Sequence, residues 1–286
     1  MLPNFLIIGA PKAGTTALAA SLAAHPQVYV APEKEVHFFD DQWARGLDWY
    51  AERFAGAREE RALGEASPTY MYVDPALERI AETVPAAKLI VCLRNPIDRA
   101  YSHYWWMRAL FEEHTFEDTV RRELAGETRE MGVRPYVRSG EYLTRLKRIR
   151  EILPASPLHV MILEDLRTDP EPTYAAVCRF LEVDDTEAPG DLSEIRNPAY
   201  RLRFPWLRKA MFRFHARRRL GATLVDRIDL WNRVPFRYPS MDPATRATLE
   251  RHYARPNADL AAWLGRDLSA WQPATSPEPT ASPERP

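Results

Sequence analysis

The chain has 286 residues, a formal net charge of −1 and two cysteines. That length buries a core without disulfide or metal staples, and Cys92 and Cys178, which lack metal or redox spacing, read as small core residues. No apolar stretch approaches the roughly 20 residues of a membrane span, and the N-terminus lacks the basic flank and cleavage pattern of a signal peptide, so a cytoplasmic protein is expected.

Phe5-Leu6-Ile7-Ile8 is an apolar run of the buried-strand type, followed by Gly9-Ala10-Pro11-Lys12-Ala13-Gly14-Thr15-Thr16 and a helix predicted from Thr15 to Ala24. Backbone N–H groups at such a helix start can cradle an anion. In a nucleotide triphosphatase loop, G-x-x-x-x-G-K-[ST], a lysine follows the second glycine and reaches the outer phosphates. Here Thr15 fills that place and the cation stands earlier, at Lys12, while Gly9, Gly14 and Thr16 keep the frame. A loop of this kind suits a donor with a short anhydride better than ATP and points toward sulfuryl transfer.

The next apolar run, Lys88 to Leu93, reads as a strand buried on both faces and ends at Arg94. Asn95 is a good N-cap, Pro96 a good first helical residue and Asp98 a first-turn acid, so a helix is predicted from Pro96 to Leu110. Ser102 lies two turns along it, able to look back toward whatever Arg94 holds. In an ATPase such a strand end offers an aspartate for Mg²⁺; a guanidinium binds an anion directly. A kinase or nucleotide hydrolase would need lysine at Thr15 and aspartate at Arg94, and has neither.

Beyond these, a helix is predicted from Tyr142 to Leu153, a strand from His159 to Leu163, a helix capped by Asp242-Pro243 and a last helix from Asn257 to Leu264. The alternation predicts an α/β fold, P-loop-like, with a mainly parallel sheet flanked by helices on both faces and ligands at the carboxyl ends of the strands. Residues 1–272 form one domain in this reading, and 273–286, with five prolines and no apolar period, a disordered tail. The stretches Trp43 to Thr69 and Phe111 to Arg138 read as substrate-contacting loops and small helices. Trp43, Trp49, Tyr50, Trp105 and Trp106 are read mainly as core, with stacking on a sugar ring or apolar acceptor as the alternative. Leu207 to Arg219 carries Arg208, Lys209, Arg213, Arg217, Arg218 and Arg219 with no acid. It is either a solvated helix face or a contact for an anionic acceptor, a membrane surface or cofactor phosphates.

These motifs together resemble the sulfotransferases that use 3′-phosphoadenosine 5′-phosphosulfate (PAPS), and among them the heparan sulfate N- and 3-O-sulfotransferases with their bacterial relatives. Pro11 to Thr16 is similar to the 5′-phosphosulfate loop of that family, and Leu93-Arg94-Asn95-Pro96 through Arg99-Ala100-Tyr101-Ser102 to its 3′-phosphate site. Lys34-Glu35-Val36-His37-Phe38-Phe39-Asp40 looks like the acceptor-side motif of the branch. Gly140-Glu141-Tyr142 and Leu264-Gly265-Arg266-Asp267-Leu268 with Trp271 are also similar, so that the likeness spans residues 4 to 272.

The resemblance implies a donor site of Lys12, Ala13, Gly14, Thr15, Thr16, Arg94 and Ser102. Lys12 would stabilise the leaving phosphate, and Arg94 and Ser102 would read the 3′-phosphate; the bland alternative for Arg94 is an ion pair with Asp98. Glu35 is implied as the general base, with His37 and Asp40 orienting it or the acceptor; packing for His37 and a turn for Asp40 are the competing readings. The expected partners are PAPS as cosubstrate and a carbohydrate or glycosylated acceptor, with no metal and no nucleic acid. A secondary metabolite acceptor, or a non-catalytic module that only binds the donor, is the alternative. The chain departs from the branch in two ways. The Golgi enzymes carry a membrane anchor, and they place a lysine before the Ser-Pro or Thr-Pro step where this chain has Ala66. The family's cofactor-closing loop should fall near Arg196 to Arg203, with Arg201 and Arg203 as its candidates.

Overall fold

The computed structural model describes residues 1–33, 35–108, 114–127, 135–187, 200–204, 206–207, 210–211, 227–228 and 230–271. In chain order the elements are β1 (Phe5–Gly9), α1 (Thr15–Ala23), β2 (Val28–Val30), α2 (Gly46–Glu52), β3 (Ala62–Ala66), α3 (Asp74–Thr83), β4 (Lys88–Leu93), α4 (Pro96–Arg108), α5 (Phe116–Leu124), α6 (Tyr142–Ile152), β5 (Leu158–Ile162), α7 (Leu163–Thr168), α8 (Pro170–Leu181), β6 (Tyr200–Leu202), β7 (Arg233–Pro235) and α9 (Pro243–Leu264).

Among the described residues, β1 to β5 form one parallel sheet in the order β2-β3-β1-β4-β5, and β6 and β7 pair antiparallel apart from it. The two inner strands that flank the site are those with continuous apolar runs. Phe5 to Ile8 and Leu89 to Leu93 are fully buried, as a strand covered on both faces must be, and each large aliphatic contributes about 1.5–3 kcal/mol. Crossovers to opposite sides of β1, right-handed by the usual rule, put α1 and α8 on one face and α3 and α6 on the other. Tyr174 on α8 donates to the Ser21 carbonyl on α1 at 3.3 Å. Cys92 and Cys178 are both buried and free.

Two elements differ from the sequence reading. Gly64 to Ala66, within the stretch read as loops and small helices, belongs to β3, which pairs with β1 and β2 at the centre of the sheet. Its sequence, Ala62-Leu63-Gly64-Glu65-Ala66, lacks the β-branched and aromatic signature of a strand. Gly64 is there because Phe5 packs across it: a Cβ would stand 2.4 Å from the Phe5 ring. The predicted helices at Asp242 and Asn257 are one helix, α9, running through Pro256. Proline costs an interior helix a hydrogen bond, but Leu249, Tyr253, Asn257 and Leu260 keep one buried stripe on both sides of it. Packing outweighs the local break.

Of the remaining expectations, residues 109–110 of the helix predicted to Leu110, the tail from 272 onward, and Arg196 fall outside the described residues, as does most of Leu207 to Arg219. Arg203 sits over the Trp231 ring, 5.3 Å from its centroid. Among the described residues no helix is long and apolar enough to cross a membrane.

Candidate active site

The ends of β1 and β4 lie side by side, since Gly9 pairs with Val91 and the Ala10 N–H donates to the Cys92 carbonyl at 2.7 Å. The turns that follow them therefore share one edge of the sheet. After β1, Lys12 has φ 70° and Gly14 φ 91°, which curl the loop over the start of α1. Gly14 is required twice over: φ is positive, and a Cβ would meet Leu163 Cδ1 at 2.6 Å. As N-cap it brings no side chain to the first turn, so the N–H groups of Thr15, Thr16 and their neighbour form a concavity suited to an anion. Thr15 is buried and Thr16 half-buried. The Lys12 ammonium stands 5.8 Å from the centroid of the Trp106 ring on α4, a cation–π distance.

After β4, Asn95 caps α4 as expected, its Oδ1 accepting from the N–H groups of Ile97 at 2.9 Å and Asp98 at 3.3 Å. Arg94 reaches across the turn to the Lys12 carbonyl with Nη1 at 3.4 Å, joining the two loops. Its Nε is buried with no hydrogen-bond partner. Asp98, the alternative partner, instead pairs with Arg246 at 3.0 Å. Burial, opposed by the Asp98 charge and reinforced by Arg167, lowers the proton affinity of Arg94. A guanidinium in that position is short of counter-charge, which a phosphate group would supply. Ser102 is buried two turns further along α4.

The motifs near the C-terminus brace this turn. Tyr142 donates to the Arg94 carbonyl at 2.9 Å, Trp271 Nε1 to Glu164 at 3.1 Å, and the other Glu164 oxygen accepts the Asn95 N–H at 3.0 Å. Arg266, just past the Gly265 cap of α9, pairs with Asp165.

The acceptor-side residues stand on the loop between β2 and α2. His37 Nδ1 faces both oxygens of Asp40 at 3.1 Å, and its Nε2 faces Glu35 Oε2 at 3.4 Å. With a carboxylate at each ring nitrogen, both nitrogens carry protons. Burial alone would lower the imidazole; hydrogen bonds to Asp40 and Glu35 and their charges outweigh it and push it up to about 10. Burial raises Asp40, but His37 and a hydrogen bond from Thr69 at 2.5 Å hold it below the usual carboxylate range. At neutral pH the site therefore contains an imidazolium that faces Glu35, with both of its ring nitrogens already protonated. Glu35 and His37 adopt φ of 58° and 52°, a region that costs non-glycine residues about 1–3 kcal/mol each and clusters at functional sites.

Of the aromatic candidates, Tyr50 is fully buried, stacked on Phe38 at 4.2 Å. Trp43 and Trp49 pack against the same core, and Trp105 and Trp106 against a second cluster around α4. Sequence reasoning missed four residues that hold the loop: Glu65, Ser67, Thr69 and Tyr70. Glu65 and Ser67 lie within the Gly64-Glu65-Ala66-Ser67-Pro68 step and Thr69 and Tyr70 follow it; the charge of Glu65 and the hydroxyls of the other three were the available signal. No group of three or more His, Cys, Asp or Glu among the described residues is arranged to hold a metal ion.

Comparison with known proteins places this geometry. The profile of the Sulfotransferase domain family matches residues 2–200. Heparan sulfate glucosamine 3-O-sulfotransferase 5 of Mus musculus is 30% identical over 64% of this chain and 54% of its own length. Bifunctional heparan sulfate N-deacetylase/N-sulfotransferase 3 of Homo sapiens is 29% identical over 94% of this chain and 31% of its own length. Membrane-associated sulfotransferase kil1 of Dictyostelium discoideum is 36% identical over 43% of this chain. The chain thus spans 28% of that protein and 22–23% of the bifunctional heparan sulfate enzymes 1 and 2 that it also matches. A crystal structure of a sulfotransferase from Alicyclobacillus acidocaldarius superposes with a TM-score of 0.70 at 28% identity, covering 95% of this chain and 99% of that one. With its family profile matching more than half the chain, the protein belongs to the sulfotransferase domain family.

Proposed function

We propose that the protein transfers a sulfuryl group from PAPS to a hydroxyl or amine of a carbohydrate-type acceptor. The observation that carries this reading is the joining of an anion cradle, where the Lys12 to Gly14 turn meets an Arg94 guanidinium whose buried Nε has no hydrogen-bond partner, to a loop that holds Glu35 against a protonated His37. The heparan sulfate sulfotransferases among the relatives support a sugar acceptor.

In this mechanism the acceptor oxygen or nitrogen attacks sulfur as the bond from sulfur to the bridging phosphate oxygen breaks. Glu35 takes the acceptor proton, and adenosine 3′,5′-bisphosphate leaves with one more negative charge on its 5′-phosphate, while the sulfonate charge goes with the product. Lys12 and the N–H groups opening α1 neutralise that charge as it forms, so their benefit is greatest in the transition state. Arg94 and Ser102 hold the 3′-phosphate. His37, kept charged by Asp40, fixes the Glu35 carboxylate and adds positive charge near the reacting atoms, where the branch has a lysine at the position of Ala66. Peripheral contact of the 207–219 segment with an anionic acceptor or surface is part of the proposal on charge alone.

The test is transfer from radiolabelled PAPS to a panel of de-sulfated glycosaminoglycan oligosaccharides and to simple amino sugars, with and without chelator. Label in product, unaffected by chelator, is expected. Binding of adenosine 3′,5′-bisphosphate without transfer to any sugar would overturn the sugar-transferase reading.

A further inference from the structure

We propose that Glu65 is the positioning residue of the acceptor-side loop: through the hydroxyls of Ser67 and Tyr70 its carboxylate holds the backbone N–H groups of His37 and Phe39, and so sets where Glu35 stands. The inference rests on the assignment of Glu35 as base.

Glu65 lies on β3 and is 1% exposed. Its Oε2 accepts from Ser67 Oγ at 2.7 Å; its Oε1 accepts from Tyr70 at 2.7 Å and Tyr50 at 3.2 Å. Each hydroxyl has one proton, and that proton is committed to the carboxylate. The lone pairs left over face the loop: Ser67 Oγ accepts the His37 N–H at 3.0 Å, and Tyr70 OH accepts the Phe39 N–H at 3.4 Å. Arg79 completes the frame by donating to the Phe39 carbonyl at 2.6 Å.

An ionisable group inside a central strand is expensive, and an apolar residue of similar size would commonly serve stability as well or better. What the carboxylate supplies is direction. A group that only accepts forces both hydroxyls to donate inward and accept from the loop. A neutral amide in its place turns one terminal atom into a donor, and one of the two hydroxyl protons loses its acceptor. The loop requires this restraint because His37 and Glu35 hold left-handed backbone conformations, which persist only where the surroundings determine them. Burial pushes the Glu65 carboxyl up, opposed by its three hydroxyl donors and by the His37 charge.

Three variants separate positioning from bulk stability. Ser67→Ala cuts the relay to His37, Glu65→Gln takes the acceptor from one relay, and Tyr50→Phe removes a Glu65 donor whose hydroxyl makes no hydrogen bond to the loop, while keeping the ring stacked on Phe38. The readouts are affinity for adenosine 3′,5′-bisphosphate, kcat on an amino-sugar oligosaccharide well below the melting temperature, and the titration of His37 followed by NMR in ¹⁵N-histidine-labelled protein. Ser67→Ala and Glu65→Gln should lose about 10- to 100-fold in kcat and shift the His37 midpoint by about tenfold in proton affinity, with nucleotide affinity within about twofold of wild type. Tyr50→Phe should change none of the three. Ser67→Ala and Glu65→Gln with wild-type kcat and His37 titration would overturn the proposal, as would equal losses in Tyr50→Phe. If the wild-type protein transfers nothing, the functional reading fails, and the His37 titration still decides the role of Glu65.

Discussion

At the ends of β1 and β4 the anion-binding groups are backbone N–H groups at an uncapped helix start and a guanidinium whose Nε has no partner. On the loop from 35 to 40, His37 faces carboxylates at both ring nitrogens and Asp40 holds both His37 and Thr69. The Arg94 Nε is left without a partner; the His37 ring is held at both nitrogens. In the proposed reaction the difference follows from the two tasks. A donor carrying several negative charges completes its own site on arrival, so leaving donors unsatisfied costs little once it is bound. A proton-transfer group must already point the right way before a weakly polar hydroxyl or amine arrives, because nothing in that acceptor is charged enough to organise it.

Removing the base should have the largest effect, confined to the acceptor side. Glu35→Gln keeps the shape and loses the proton acceptor, so transfer should fall by about 10²–10⁴ while affinity for adenosine 3′,5′-bisphosphate is unchanged. Single-turnover assays alongside calorimetric titration measure both quantities. Near-wild-type turnover would move the base off this loop altogether, since His37 already carries its proton.

Next in size is the donor side. Lys12→Ala removes a charge aimed at the leaving group, and kcat should fall by about 10²–10³, this time with weaker nucleotide binding as well. The contrast with Glu35→Gln is the point: if Lys12→Ala left nucleotide affinity untouched, the lysine would belong to the packing against Trp106 and not to the donor.

How legible each side was in the sequence follows the same division. The donor side is assembled from regular elements and their caps, and Gly9, Lys12, Gly14, Arg94 and Asn95 announce a strand, a turn and a helix start within a few residues of one another. The loop frame was not legible. Ser67, Thr69 and Tyr70 reach His37, Asp40 and Phe39 across about 30 positions of chain, and only the pairing of β3 with β1 and β2 brings them there. The strand that leads into them is short, small in its side chains and charged at Glu65, so local pattern gave no reason to place it in the sheet. The Pro256 break misled for the mirror reason: a local signal was strong, and the buried stripe of α9 was stronger.

A smaller effect tests whether Arg94 reads the 3′-phosphate. Adenosine 3′,5′-bisphosphate at about 100 times its dissociation constant should stabilise the fold by about 2.7 kcal/mol, and AMP at the same concentration by much less. In Arg94→Ala the two nucleotides should give equal melting shifts. Equal shifts in the wild-type protein would show that the Arg94 guanidinium does not distinguish them.

The smallest expected effect concerns the charge on His37 and is read as stability against pH. In the folded chain the imidazole is raised to about 10, against about 6.5 when unfolded. A group raised in this way stabilises the fold fully below the unfolded value, and its contribution declines as pH rises toward the folded one and is gone above it. The window is therefore about pH 6.5 to 10. A hydrogen bond to a charged group is worth about 1.5–3 kcal/mol, and the half-exposed setting of the ring argues for the lower end. The measurement is a difference: urea unfolding of wild type and His37→Gln at pH 6.5, 8 and 10. Wild type should be the more stable at pH 6.5, and the gap should close toward pH 10. Asp40, held low by the same pair, gives the opposite flank, with stability lost only as pH falls below the ordinary carboxylate range. A gap between the two proteins that stays constant from pH 6.5 to 10 would mean that the ring is neutral throughout, and that Glu35 is oriented by a hydrogen bond without the charge.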